Sequence, residues 1–296
     1  MKSSTFKWVV VFILAMLASG LIWAACIKLT LPLLMGSEFL IPHLEFLPET
    51  DDHPLLRLSA PAPIPASVDL YSPISTSIIP VDDQGRYGSC TAHAMRYAWS
   101  LMNYYANVRA PAPSRAYWYA MSRQRLGDNL INDYGSTNAA TVWALANKGQ
   151  LPESQYPYTA QNITRVPPAA TITAAAAGKR TLVSPRGAFM FSVNKTTTQN
   201  ALISALAAKR CIVLGIAVYS SFQSHKVLTS GIIPLPDTRT EKFLGGHAIC
   251  ISGYNTATQR FSFRNSWGTT YGVLGTFTIP FAYITNTSLA FDAWVL

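Results

Sequence analysis

Gln84-Gly85-Arg86-Tyr87-Gly88-Ser89-Cys90 is a run rich in turn formers that stops where a helical repeat begins. Beyond it, Ala94, Tyr97, Ala98, Leu101 and Tyr105 recur at three- and four-residue spacing, so the pattern predicts a helix opening near Cys90. A cysteine at that point is chemically distinctive. The first turn of a helix offers unpaired N–H groups and the positive end of the dipole, and both favour a thiolate. Taken alone, this cysteine reads equally well as a buried structural one.

Working outward, Ser114 suits the cap of a second helix through Tyr117 to Arg123, and Thr137 or Asn138 that of a third through Val142 to Ala146. Residues 165 to 198 are rich in Pro, Ala and Thr and read as a loop or boundary. After them Ala201 to Ala208 looks helical. Ile212 to Val218, Ile249 to Tyr254, Gln259 to Arg264 and Thr276 to Ile279 read as strands. Helices first and strands later predict an α+β fold of two packed subdomains with a cleft between them.

The 296 residues leave room for this domain plus a leader. Lys2 and Lys7 precede Trp8 to Ala25, which carries no charge, so residues 1–26 read as a signal peptide or an uncleaved membrane anchor. Either way the remaining chain is expected on the non-cytoplasmic side, secreted, periplasmic or tethered. Residues 27–63 are broken by prolines and read as a linker or short propiece. The domain itself is expected over 64–296, helical to about 165 and β from about 166. A net charge of +9 raises nucleic acid as a partner, but the basic residues are scattered without an aromatic-laced stripe, which argues against it.

Among four cysteines, Cys211 and Cys250 sit in apolar runs, either paired or buried as free thiols; spacing does not fix which. Asn162, Asn194 and Asn286 each open an N-glycosylation triplet. A thiol nucleophile needs a base, and there are five histidines. His43 and His53 lie in the Pro-rich stretch, and His225 in a Ser/Lys-rich turn. His93 shares a helix face with Cys90 and would point alongside the thiol. His247 follows Gly245-Gly246 at the start of an apolar run, where small neighbours admit a substrate backbone.

The ensemble says more. The run ending at Cys90, then Gly246-His247-Ala248, then Asn265-Ser266-Trp267-Gly268-Thr269 resemble, in that order, the signature blocks of the papain and cathepsin family of cysteine peptidases. Pro65-Ala66-Ser67-Val68-Asp69 is similar to the family's mature N-terminus and Gln155-Tyr156-Pro157-Tyr158 to its Tyr-Pro-Tyr turn. The resemblance covers roughly residues 64 to 290 and implies a helical left and a β-barrel-like right subdomain. It implies Cys90 as nucleophile, His247 as base in a resting ion pair, and Asn265 accepting or donating at the second ring nitrogen. It also implies Trp267 shielding that contact, and Gln84 with the Cys90 N–H as oxyanion hole. Gly135, Gly246 and Trp267 are the substrate-binding candidates. No cofactor or metal is implied; the expected partners are a peptide or protein substrate and, for the N-terminal segment, membrane or export machinery, with the chain a monomer. Tyr87 stands where the family usually has a disulfide-forming cysteine, Tyr271 where a second tryptophan is common, and the long helical propeptide is missing. A transpeptidase, amidase or deamidase on the same Cys/His chemistry, and a catalytically silent binding protein, are the alternatives.

Overall fold

The computed structural model describes residues 63–178, 189–191 and 197–295. The leader, nearly all of the Pro-rich stretch, Cys26, His43, His53 and the Asn194 triplet lie outside the described residues.

Helix α1, Cys90–Tyr105, runs through the middle of the molecule. The predicted stripe is buried except Tyr105, which is half-buried, but burial does not stop at one face: Thr91 through Trp99 are all inside. The polar members of that helix find partners. His93 Nδ1 meets Asp82 Oδ2 at 3.2 Å, Arg96 donates to the Pro80 carbonyl at 3.1 Å, and Asn103 donates to the Trp99 carbonyl at 2.8 Å. Arg115 joins the cluster, reaching Asp82 at 2.9 Å and Glu153 at 3.0 Å. Burial by itself would raise the Asp82 carboxyl, but the His93 hydrogen bond and the charges of His93, Arg96 and Arg115 outweigh it and hold the group low.

Two further helices flank α1, each opened by the residue that suits a cap. Ser114 Oγ accepts from the Tyr117 N–H at 3.0 Å and starts α2, Arg115–Arg125; Thr137 Oγ1 accepts from the Ala140 N–H at 3.0 Å and starts α3, Asn138–Lys148. Gly149, at φ 81°, ends α3 in a conformation that a side chain resists. Trp99 of α1 and Trp118 of α2 meet edge to face at 6.0 Å, both fully buried. Truncating either costs about 3–5 kcal/mol.

The other half is an antiparallel sheet. Its strands are β1 (Ser67–Asp69), β2 (Phe189–Phe191), β3 (Ile212–Tyr219), β4 (Phe243–Asn255), β5 (Arg260–Arg264), β6 (Thr276–Pro280) and β7 (Ala290–Val295). They lie in the order β2-β7-β3-β4-β5-β6, with β1 added on β4. Short helices α4 (Ala160–Ile163), α5 (Ala169–Ala176), α6 (Thr197–Ala207), α7 (His225–Ser230) and α8 (Phe281–Ile284) fill the connections.

The chain order is therefore more mixed than helices then strands. β1 opens the helical part but pairs with β4, and α5 lies where the Pro, Ala and Thr content suggested a loop. Alanine is the best helix former and wins over that run once the prolines are passed. β4 begins at Phe243, before the glycines that mask it in the sequence, because Gly245 and Gly246 pair with Val218 and Ala217 of β3. His225 opens α7 under a Ser224 cap instead of sitting in a turn. Cys211 and Cys250 are buried free thiols; burial, then Cys211, pushes the Cys250 thiol well up. Asn162 is buried and its amide donates to the Pro157 carbonyl at 2.9 Å, so that triplet is not an open acceptor.

Candidate active site

Between α1 and the sheet lies a cleft of about 770 Å³, and of the seven residues singled out from the sequence it is lined by Gln84, Cys90, Gly135, Gly246, His247 and Trp267. Asn265 sits just behind the wall, 1% exposed. Three separate segments deliver these groups. Cys90 is the first residue of α1, with Ser89 at the cap making no side-chain bond to the first turn. His247 is on β4 opposite Ile216, and Asn265 follows the last residue of β5.

The first and third segments are zipped together. The Gln84 N–H donates to the Ser266 carbonyl at 2.8 Å and the Gly268 N–H to the Asp82 carbonyl at 2.8 Å. The Ser266 hydroxyl meets Gln84 Oε1 at 2.6 Å, while Gln84 Nε2 donates one hydrogen to the Tyr87 carbonyl at 2.7 Å. The amide orientation is thereby fixed, and its second N–H is left for the cleft. No local pattern marks Ser266 for this role, because its contact with Gln84 joins two segments far apart in the chain.

The imidazole is equally constrained. His247 Nε2 lies 2.8 Å from Asn265 Oδ1, and that same oxygen accepts from the Ser266 N–H at 2.8 Å. An oxygen that already accepts fixes the amide's orientation, so Nε2 carries the proton and Asn265 accepts. The open choice between accepting and donating closes on accepting. Nδ1 then holds the lone pair, and among the described residues it makes no hydrogen bond. Trp267 lies over the ring at 5.2 Å and Phe222 edges it at 6.5 Å, covering the Asn265 contact from water. Phe222 carried no signal in the sequence beyond being apolar.

Burial pushes the Cys90 thiol up to about 11, against the pull of backbone groups of Ala248, Thr91 and Cys90 itself. Burial likewise brings the His247 imidazole down to about 4, against the Asn265 hydrogen bond. Neither group favours carrying a charge alone. Moving one proton from Sγ to Nδ1 charges both together and adds no net charge, so the form of the pair is a property of the two groups jointly.

His93 is not part of this arrangement. It is fully buried, bonded to Asp82 and edge-on to Tyr158 at 4.8 Å. His225 is exposed on α7. Among the described residues no group of three His, Cys, Asp or Glu is gathered to hold a metal ion.

A sulfur at a helix start, an imidazole with one oriented nitrogen and amide donors beside them can carry acyl transfer. Known proteins are similar to this chain over most of the described domain. The family model of papain family cysteine proteases matches residues 64–289. An uncharacterized peptidase C1-like protein of Acanthamoeba polyphaga mimivirus is 30% identical over 219 residues, spanning 72% of this chain and 68% of that protein. Cysteine proteinase 5 of Dictyostelium discoideum is 25% identical over 224 residues, covering 67% of this chain and 58% of that one. Among solved structures, xylellain, a cysteine protease from Xylella fastidiosa, superposes with a TM-score of 0.69 at 30% identity, over 78% of this chain and 85% of that one. A digestive procathepsin L of Tenebrio molitor shares the fold at 20% identity and a TM-score of 0.58, over 80% of this chain and 71% of that one. With its α+β fold, this chain belongs to the papain family of cysteine proteases.

Proposed function

We propose that the chain is an endopeptidase acting through a Cys90 thioester. The observation that carries this reading is the oriented imidazole: Asn265 holds Nε2–H at 2.8 Å, leaving Nδ1 of a cleft-lining histidine to serve a cleft-lining thiol. In the first half-reaction His247 Nδ1 takes the Sγ proton and sulfur attacks the scissile carbonyl carbon. The carbonyl oxygen becomes an oxyanion, met by the free Gln84 Nε2–H and the Cys90 backbone N–H. His247 returns the proton to the leaving amine, the C–N bond breaks, and an acyl-thioester remains. Water, deprotonated by the same nitrogen, then cleaves the thioester, releasing the acid and restoring the thiol. Asn265 holds the ring throughout, while Gly135 and Gly246 present backbone to an extended peptide.

The cleft volume and its lining by several chain segments suit more than one substrate residue on either side of the thiol, which favours internal cleavage. An internally quenched peptide blocked at both termini tests this directly. Its hydrolysis is expected in the native chain and absent in Cys90→Ala; hydrolysis retained by Cys90→Ala sinks the reading, and cleavage only of free-ended peptides removes the endopeptidase part. Product analysis with an added amine separates hydrolysis from transpeptidation. For the cellular setting we infer export, supported by Lys2 and Lys7 before the uncharged Trp8 to Ala25 run. Fractionation of a full-length tagged chain checks it, and a cytoplasmic pool alone rejects it.

A further inference from the structure

Asp133 reaches across to the catalytic loop. Its Oδ2 accepts the Gly88 N–H at 2.8 Å, two residues before Cys90. Its Oδ1 accepts the hydroxyl of Tyr119, a fully buried residue of α2. That hydroxyl also accepts the Gly135 N–H at 3.1 Å. One carboxylate therefore ties together the loop carrying Gln84 and Cys90, the core of the helical half and, through the Tyr119 hydroxyl, the cleft-lining Gly135.

The fit is close. A Cβ placed on Gly88 would lie 3.0 Å from the Gly135 Cα and 3.3 Å from Asp133 Oδ1, so any side chain there would press the two loops apart. Tyr87, next in sequence, stands where a covalent tie is usual in the family, and the chain has no described cysteine nearby to make one. Neighbouring contacts hold the two ends of the same loop: the Tyr158 hydroxyl donates to the Gln84 carbonyl at 2.9 Å and bonds Ser89 Oγ. In the middle of the loop Tyr87 packs edge to face on Tyr158 at 6.5 Å and its carbonyl takes the Gln84 amide, while Asp133 supplies the described hydrogen bond that joins Gly88 to another segment.

We propose that Asp133 is a positioning residue, a non-covalent clasp that sets the oxyanion-hole loop against the substrate-binding wall. The inference rests on the peptidase reading above. Asp133 touches neither the reacting sulfur nor the base; it acts through Gly88, on the geometry of the Cys90 N–H and the Gln84 amide. Because the oxyanion exists only in the transition state, a slack loop lowers kcat and spares KM. Alkylation of Cys90 by a small haloacetamide needs no oxyanion hole. The Asp133 charge is also among the influences that raise the Cys90 thiol, so removing it leaves alkylation unchanged or faster.

The test uses the full chain with Asp133→Ala, Asp133→Asn and Tyr119→Phe. Asp133→Ala is expected to lower kcat by about tenfold or more. KM is expected to move by less than about threefold, with haloacetamide labelling undiminished at neutral pH. Asp133→Asn keeps an oxygen for Gly88 and is expected within about threefold of the native kcat. Tyr119→Phe is expected to show a smaller kcat loss that adds nothing to Asp133→Ala, as members of one unit do. Unchanged kcat in Asp133→Ala, or labelling that falls in step with hydrolysis, overturns the assignment; if that variant does not fold, unchanged kcat in Tyr119→Phe does so. Amide exchange at Gly88 reads the clasp without turnover: it is expected to quicken in Asp133→Ala, and unchanged exchange overturns it. A native chain that hydrolyses no peptide, with Gly88 exchange still quickened, sinks the peptidase reading and leaves the contact standing.

Discussion

His93 and His247 are both buried imidazoles with one ring nitrogen engaged, yet their neighbourhoods differ in kind. His93 sits on α1 among charges, its Nδ1 on the Asp82 carboxylate with Arg96 and Arg115 close by. His247 sits on β4 among neutral groups, its Nε2 on an amide oxygen, between Trp267 and Phe222. Burial disfavours a charge on either ring; against it the Asp82 carboxylate pulls toward the charged form of His93 and ties that ring into an ionic cluster, whereas the Asn265 amide mainly orients His247. The first arrangement suits holding a fold together and the second suits shuttling a proton.

The largest effect that separates them is activity. His247→Ala and Cys90→Ala are each expected to lower kcat by about 10³-fold or more, with the double variant no worse than either. His93→Gln is expected to stay within about tenfold in kcat of properly folded chain. Inactivation by His93→Gln with the fold intact would reverse the comparison. In His247→Ala, alkylation of Cys90 at pH 7 is expected to fall steeply and to follow a single ionisation near 11, since burial then acts on the thiol without a partner. Alkylation that keeps its native rate would mean the helix start alone makes the thiolate.

Next in size is Gln84→Ala, expected to cost about 10² in kcat at nearly constant KM. Raised KM with normal kcat would recast Gln84 as a ground-state contact. Asn265→Asp sharpens the comparison by giving His247 the kind of partner His93 has. NMR titration of the ring, in a Cys90→Ala background, is expected to show its pKa rising from about 4. An unmoved ring would show that burial, not the partner, governs the site.

The smallest effect concerns stability. Both histidines titrate lower in the folded chain than the ordinary 6.5. Below about 6.5 the unfolded chain binds the extra proton, so stability falls as pH drops, for His247 by up to about 1.4 kcal/mol per pH unit and for His93 in the same direction. For His247 that window closes at about 4. Denaturant melts of Cys90→Ala against Cys90→Ala/His93→Gln check it: the slope is expected to flatten when His93 is removed.

Local signals carried much of this architecture. The caps Ser114 and Thr137 and the repeat after Cys90 mark α1, α2 and α3 because capping and periodicity are properties of a few adjacent residues. β1 has only three residues and β7 bends at Asp292, where φ is 48°, so neither shows a clean alternation. All the site candidates but Gly135 lie in blocks similar to a known family, and the structure brings six of the seven to one cleft with Asn265 behind it. What no local pattern held was which atom faces which: the Ser266 N–H that fixes the Asn265 oxygen, and the Asp133 carboxylate that meets Gly88 across 45 residues. Likewise the buried polar groups on α1 break a single apolar stripe, and His93 and Arg96 find their partners in Asp82 and the Pro80 carbonyl, which lie outside the helix.

Cys211 and Cys250, sealed beneath α1 and the sheet, have a practical consequence at the bench. Each is at most 1% exposed, whereas Cys90 alone among the described cysteines opens onto the cleft. Among the described residues a bulky peptide-like electrophile therefore meets one thiol in the folded domain, and its uptake at Cys90 counts competent molecules one for one. Denaturant adds Cys211 and Cys250. The ratio of the two readings is a built-in gauge of how much of any preparation is correctly folded.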